Sequence, residues 1–265
     1  MTRTAAVLLT FSLVLTAGMS AQAPQTTGGG EGDARALRVL VTVGGHGYEE
    51  APFHGMLDAL PGVTWKMIQL PEEADLLKPG LERQYDAILM YDMVPGISPA
   101  QQKAFLDLIN TKIGLVSLHH NVGAHRDWDE WPKVVGGRWI HEKTKVMDGT
   151  TYLQTHAVGL NEPVTLKIHV DPSHPISKGV QDFVTRDEFY VGLYIAPTIT
   201  PLLTSDHIEA RLDRGLFGWT HMYNETRVFY MRLGHFSTAW NDPQWRKLMV
   251  QGLRWSACTR HQAFC

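Results

Sequence analysis

The sequence predicts an α/β domain: a doubly wound, mostly parallel sheet of the flavodoxin-like type with an antiparallel extension. Three observations predict it. Leu37 to Val43 is an apolar run without alternation, as in a strand buried on both faces. Strand-like and helix-like segments then follow a β-α-β-β-α-β rhythm as far as Leu118. The runs beyond Thr150 alternate more, as antiparallel strands with one solvated face do.

The elements are justified in order. Pro52 to Leu60 reads as a helix and Val63 to Leu70 as a second strand. Tyr85 to Tyr91 is a third strand, ending at Asp92. Ser98 is then an N-cap, Pro99 the first helical position and Gln101 the partner that completes a capping box. The helix from Pro99 to Asn110 puts Phe105, Leu108 and Ile109 on one face, and Ile113 to Leu118 is a fourth strand. Right-handed crossovers place the helices on opposite faces of such a sheet. Thr150 to Val158 and Val164 to Val170, separated by Asn161-Glu162-Pro163, read as a hairpin. Glu188 to Leu193, Thr200 to Ser205, Gly215 to Met222 and Arg227 to Leu233 are further strand-like runs. The closing helix is capped by Asn241 or Asp242, starts at Pro243 and buries Trp245, Leu248, Met249, Leu253 and Trp255.

The chain has 265 residues, 44% hydrophobic and 19% charged, with a net charge of −3, so no basic stripe marks it for nucleic acid. Residues 1–23 read as a signal peptide: Arg3 is the positive n-region, Ala5 to Gly18 the apolar segment and Ala21-Gln22-Ala23 the cleavage site. Pro24 is awkward for the peptidase, so the cut shifts or the segment stays as an anchor. No later stretch is long and apolar enough to span a bilayer. Residues 24–35 are a Gly- and Thr-rich lead-in, residues 36–258 one domain and residues 259–265 a tail. The expected location is periplasmic or secreted. Cys258 and Cys265, the two cysteines, either close a terminal disulfide or stay as thiols.

Three corners carry imidazoles. Gly44-Gly45-His46-Gly47-Tyr48 follows the first strand, Ser117-Leu118-His119-His120-Asn121 the fourth, and Leu233-Gly234-His235-Phe236 the last. Ligands of open α/β sheets sit outside the carboxyl ends of parallel strands, so three such ends suggest one polar pocket. The plain alternative is three tight turns with surface histidines. The first corner is not G-x-G-x-x-G, and no ribose-binding acid follows at the usual spacing, so no nucleotide cofactor is expected. His119 and His120 are neighbours, and we expect one of them, His119 first, to face the pocket. Asp187 and Glu188 are the carboxylate candidates; an exposed acidic pair is the alternative. Asp127-Trp128-Asp129-Glu130-Trp131 mixes carboxylates with aromatic faces, which suits sugars, although two tryptophans packing a helix onto the sheet fit equally well.

These segments, in this order, resemble the ThuA-like proteins, named for trehalose utilisation, which adopt the class I glutamine amidotransferase-like fold. The matching residues are the Gly-Gly-His corner, Gly114 to His119, Trp131 through Val135-Gly136-Gly137-Arg138-Trp139-Ile140-His141, His174-Pro175-Ile176, Asp187 to Tyr190, Arg227 to His235 and Leu253 to Ser256. The resemblance implies a carbohydrate association and a metal-associated pocket, with members that accompany sugar oxidation and keto-sugar processing. It does not imply glutamine hydrolysis. The elbow carries His119-His120 in place of cysteine, no glutamate follows His235, and no cysteine precedes position 258.

The expected function is therefore an exported hydrolase or lyase acting on a disaccharide, glycoside or keto-sugar. His119, His235, Asp187 and Glu188 are its catalytic candidates. His46, Tyr48, His120, Asn121, Trp128, His141 and Trp240 are the substrate-binding candidates. His46, His119 and His235 are candidate ligands of a divalent ion such as zinc. The partner is a small carbohydrate, with no nucleic acid, and a homo-oligomer is compatible with the sequence. The alternative is a non-catalytic carbohydrate-binding protein on the same scaffold; a transcriptional or signalling partner is disfavoured by the export signal and the missing basic face.

Overall fold

The nine-stranded sheet at the centre joins two halves of different character. A computed structural model describes residues 35–261. Strands of this sheet are numbered in chain order: β1 Leu37–Val43, β2 Val63–Gln69, β3 Ala87–Met90, β4 Gly114–Leu118, β5 Val164–Val170, β6 Phe183–Asp187, β7 Thr200–Ser205, β8 Leu216–Tyr223 and β9 Thr226–Met231. They lie in the order β6-β5-β7-β8-β9-β4-β3-β1-β2. Pairing is parallel from β2 to β9, including β9 on β4, and antiparallel from β9 to β6. The antiparallel extension is thus as wide as the parallel part.

The parallel half follows from its residues. In β1, Leu37, Val39, Val41 and Val43 pack into one core with helix α1 (Glu50–Asp58), while Leu40 packs into another with helix α2 (Pro99–Ile109). Successive side chains of a strand point to opposite faces, so an all-apolar strand serves both cores. Ser98 and Gln101 form the expected capping box of α2. Short helices α3 (Trp131–Val135) and α4 (Ser237–Trp240) precede the closing helix α5 (Pro243–Ala257), whose N-cap Asp242 accepts from Gln244 N–H and Trp245 N–H. Trp245, Leu248, Met249 and Leu253 of α5 are fully buried, each stabilising by about 1.5–3 kcal/mol. Trp255 is only partly buried, packed under the Arg227 guanidinium.

The expected hairpin of Thr150–Val158 with Val164–Val170 does not form. Thr150–Leu153 pairs with Thr144–Met147 around an Asp148-Gly149 turn, His156–Val158 pairs with Phe189–Val191, and β5 pairs with β6 and β7. Asp-Gly is the tight-hairpin signal, and it outcompetes the longer Asn161-Glu162-Pro163 connection. Gly137–Arg138 pairs with Tyr194–Ile195. No helix of the described residues is long and apolar enough to cross a membrane. The signal peptide, most of the lead-in and Cys265 lie outside the described residues; Cys258 is disulfide-bonded.

Candidate metal and substrate site

The carboxyl ends of β1, β4 and β9 bring their corners together. At the first, Gly44 and Gly45 have φ of 127° and 72°, and a Cβ would stand 2.1 Å from Leu70 O and 2.5 Å from Met93 O respectively. Only glycine fits that close approach. Glu49 ties this corner to the last one, its carboxylate accepting from Ser237 N–H at 2.5 Å and from Ser237 O–H at 3.1 Å.

The His46 ring stacks on His120 at 4.5 Å and meets His235 edge-on at 5.7 Å; His119 and His235 are 5.2 Å apart. One donor nitrogen from each of His119, His120 and His235 lies within 4.8 Å of the others. This corrects two expectations. His119 and His120 both face the cluster, because His119 adopts a left-handed backbone (φ 50°) that ends strand alternation and starts a 3-10 turn over His119–Gly123. His120 also replaces His46 in the candidate metal trio, with the His46 ring laid against it.

Carbonyl partners fix the tautomers, since a carbonyl only accepts. His119 Nδ1–H donates to Arg232 O at 2.6 Å, His120 Nε2–H to Tyr91 O at 2.6 Å, and His46 Nδ1–H to Gly47 O at 2.6 Å. His119 therefore presents the Nε2 lone pair, which accepts the Tyr190 O–H at 2.6 Å. His120 presents Nδ1, buried and without a partner. Burial holds the His119 imidazole well below its usual pKa and pushes His120 down to about 3 and His235 to about 4, so all three are neutral near pH 7. Neutral imidazoles, two of them with the outer N–H on a backbone carbonyl, are the donor set that a zinc-like ion takes. The residues fit such an ion once the Tyr190 O–H turns away and frees the His119 Nε2 lone pair.

The adjacent carboxylates divide. Asp187 is fully buried and accepts from the backbone N–H of Gly234 (2.5 Å), Glu188 (3.0 Å), Phe236 (3.1 Å) and His235 (3.2 Å). Burial pushes its carboxyl up, to about 8, against the pull of those four donors. Three of these donors converge on Oδ1 and one reaches Oδ2, so the carboxyl is held mainly by the backbone of the His235 corner. We therefore assign Asp187 the structural role of holding the His235 corner, not the catalytic role expected of it. Glu188 Oε2 stands 3.0 Å from His235 Nδ1, off the N–H axis and without a hydrogen-bond partner. Burial pushes Glu188 up to about 7. His235 Nδ1 is also 3.2 Å from His119 Nε2.

Several expected binding residues are occupied elsewhere. Asn121 is buried: its Oδ1 accepts the Ser117 O–H at 2.7 Å and its Nδ2 donates to Asp92 O at 3.0 Å, bracing the strand ends beneath the imidazoles. Trp128 packs with Phe105 and Trp131 in the core on the α2 side, and Trp240 is fully buried with Nε1–H on Gly234 O. Tyr48 turns its hydroxyl to Met67 Sδ, and His141 gives its Nε2–H to Gly123 O at 2.9 Å. Their spacing near the corners carried no information about which way each side chain turns.

Two participants went unassigned in the sequence. Tyr190 lies two residues after Glu188, so strand periodicity puts both on one face; that signal was readable. Arg232, fully buried in an apolar run, donates from NH1 to Tyr190 O at 2.9 Å, and its NH2 lies 3.3 Å from Asp213 Oδ2. A charge inside such a run needs a partner, which flags the position.

Among curated proteins, none matches this chain. Among solved structures, a ThuA-like protein from Parabacteroides merdae is 15% identical with a TM-score of 0.67, over 83% of this chain and 90% of that one. A cytoplasmic protein from Salmonella typhimurium is 12% identical with a TM-score of 0.52, over 84% and 98%. A β-galactosidase from Rahnella is 11% identical with a TM-score of 0.53, over 82% of this chain and 30% of its own. At these identities the likeness is one of fold. Residues 38–256 match the family described as trehalose utilisation, which gives the protein a carbohydrate-related role, and the chain belongs to that ThuA family.

Proposed function

We propose that the protein is an exported carbohydrate-active enzyme that cleaves or rearranges a disaccharide, glycoside or keto-sugar. His119, His120 and His235 would hold a divalent ion, which when bound polarises a sugar oxygen. The carrying observation is the meeting of three neutral imidazole nitrogens within 4.8 Å, beside a buried, unpartnered carboxylate oxygen. Glu188 moves the proton: burial has brought its carboxyl to about 7, where it can both accept and donate near neutral pH. The Arg232 carbonyl orients His119, and the Tyr190 O–H, which holds the Nε2 lone pair, would yield it to the ion. Because Asp187 is consumed by backbone donors, the pair does not supply the two free carboxylates of common glycosidases. This favours hydrolysis or elimination assisted by metal and imidazole. Export rests on Arg3, the apolar run Ala5 to Gly18 and the Ala21-Gln22-Ala23 site.

The second reading is a carbohydrate-binding protein without turnover, in which the same groups bond sugar hydroxyls. Elemental analysis of the purified protein, followed by turnover screening on native and 3-keto disaccharides, tests the first. His119→Ala separates the two: an enzyme loses turnover far more than sugar affinity, and a binder loses affinity alone.

A further inference from the structure

The segment 188–194 serves two places. Glu188 and Tyr190 meet the imidazoles, whereas Leu193 and Tyr194 line a separate cavity of about 420 Å³. The other walls include Asp148, Thr150 and Tyr152 of the Asp-Gly hairpin, Ile195 and Pro197, and the 212–214 turn. The volume suits a small ligand, for which pockets run from about 300 to 1,000 Å³.

The lining is chemically mixed. Tyr152 and Tyr194 meet edge to face at 5.6 Å and offer apolar ring surface. The Tyr194 O–H donates to Asp148 Oδ2 at 2.6 Å, fixing both groups. Asp213 is buried, its oxygens accepting from Gly192 N–H at 3.1 and 3.2 Å. Arg214 is exposed and held in left-handed backbone at φ 58°. Asp213 is already matched by Gly192 N–H and the Arg232 guanidinium, which leaves the exposed Asp148 carboxylate and Arg214 guanidinium to meet a ligand: a wholly apolar molecule matches neither, and an anion faces Asp148. A pyranose matches both kinds of wall. Its C–H face takes the aromatic surface, and its vicinal hydroxyls take planar carboxylate or guanidinium groups that make paired hydrogen bonds.

We propose that this cavity is a second saccharide site, distinct from the imidazole cluster. The proposal rests on the carbohydrate reading of the protein. The two sites share a brace: Asp213 lies 3.3 Å from Arg232 NH2, and the Arg232 carbonyl holds His119 Nδ1–H.

Isothermal titration of the full chain with trehalose, maltose and sucrose tests it, alongside Tyr152→Ala and His119→Ala, with circular dichroism to verify folding. Two bound equivalents are expected, one lost in each variant, with affinity at the lost site falling by about tenfold or more. Arg214→Gly, which suits the left-handed backbone, should weaken the same equivalent as Tyr152→Ala and serves if that variant misfolds. A single equivalent insensitive to Tyr152→Ala and Arg214→Gly overturns the second site and leaves the imidazole reading standing. A single equivalent lost only in those variants keeps the second site and removes sugar from the imidazoles. Absence of binding for all three sugars overturns both.

Discussion

The two halves of the sheet divide the candidate site between them. The parallel half delivers imidazoles: His46 after β1, His119 and His120 after β4, and His235 after β9. The antiparallel half delivers the groups that hold and complement them, Asp187 at the end of β6, Glu188 and Tyr190 just beyond it, and Asp213 before β8. A strand buried on both faces fixes where it ends but has no free side chain along its length, so chemistry collects at its tip. An antiparallel strand exposes alternate residues and can send neighbouring carboxylates to different tasks.

The largest effect should come from the parallel side. His120→Ala removes a lone pair that has no protein partner, and zinc affinity measured by titration should fall by more than the 10- to 100-fold typical of losing an outer partner of a ligand. An unchanged affinity would reassign the imidazoles. On the other side, Asp213→Asn strands the buried Arg232 guanidinium and should cost about 3–5 kcal/mol in denaturant unfolding. A cost below about 1 kcal/mol would mean that the two halves are not braced there. Asp187→Asn should cost about 2–3 kcal/mol and loosen the His235 corner, visible as weaker zinc binding as well as lower stability.

Acid should act at the start of the parallel half as well, at lower pH than at the buried neutral imidazoles. Asp86 is held below the ordinary carboxylate range by the Arg38 and Arg35 guanidinium groups, against the opposing effect of burial. Its folded pKa lies below its unfolded value of about 3.9. Its contribution is therefore present above about pH 4 and lost as pH falls through the folded pKa. Asp86→Asn should flatten that part of the stability curve; an identical curve would assign the acid sensitivity elsewhere. The smallest effect is Asp242→Ala, which removes the α5 cap and should cost about 1 kcal/mol, or about 2–4 °C in Tm.

Legibility follows the same division. The capping box, the α5 cap and the buried run of β1 were readable because each depends on residues within a few positions of one another. The three imidazole corners were readable because parallel strands end on one rim. Strand partners in the extension were not: Thr150–Leu153 and Val164–Val170 looked like one hairpin and found different partners. Trp128, Trp240 and Asn121 looked like binding groups and proved to be packing and bracing groups.

The amino-acid order alone determined the α/β class, the starts of α2 and α5 and the placing of histidines at strand ends, since local propensity and periodicity set these. Only the tertiary structure decided that His120 joins His119, that Asp187 is spent on backbone while Glu188 faces His235, and that Tyr190 caps an imidazole. Those outcomes depend on a single backbone angle and on hydrogen-bond donors from remote segments, and sequence spacing encodes neither.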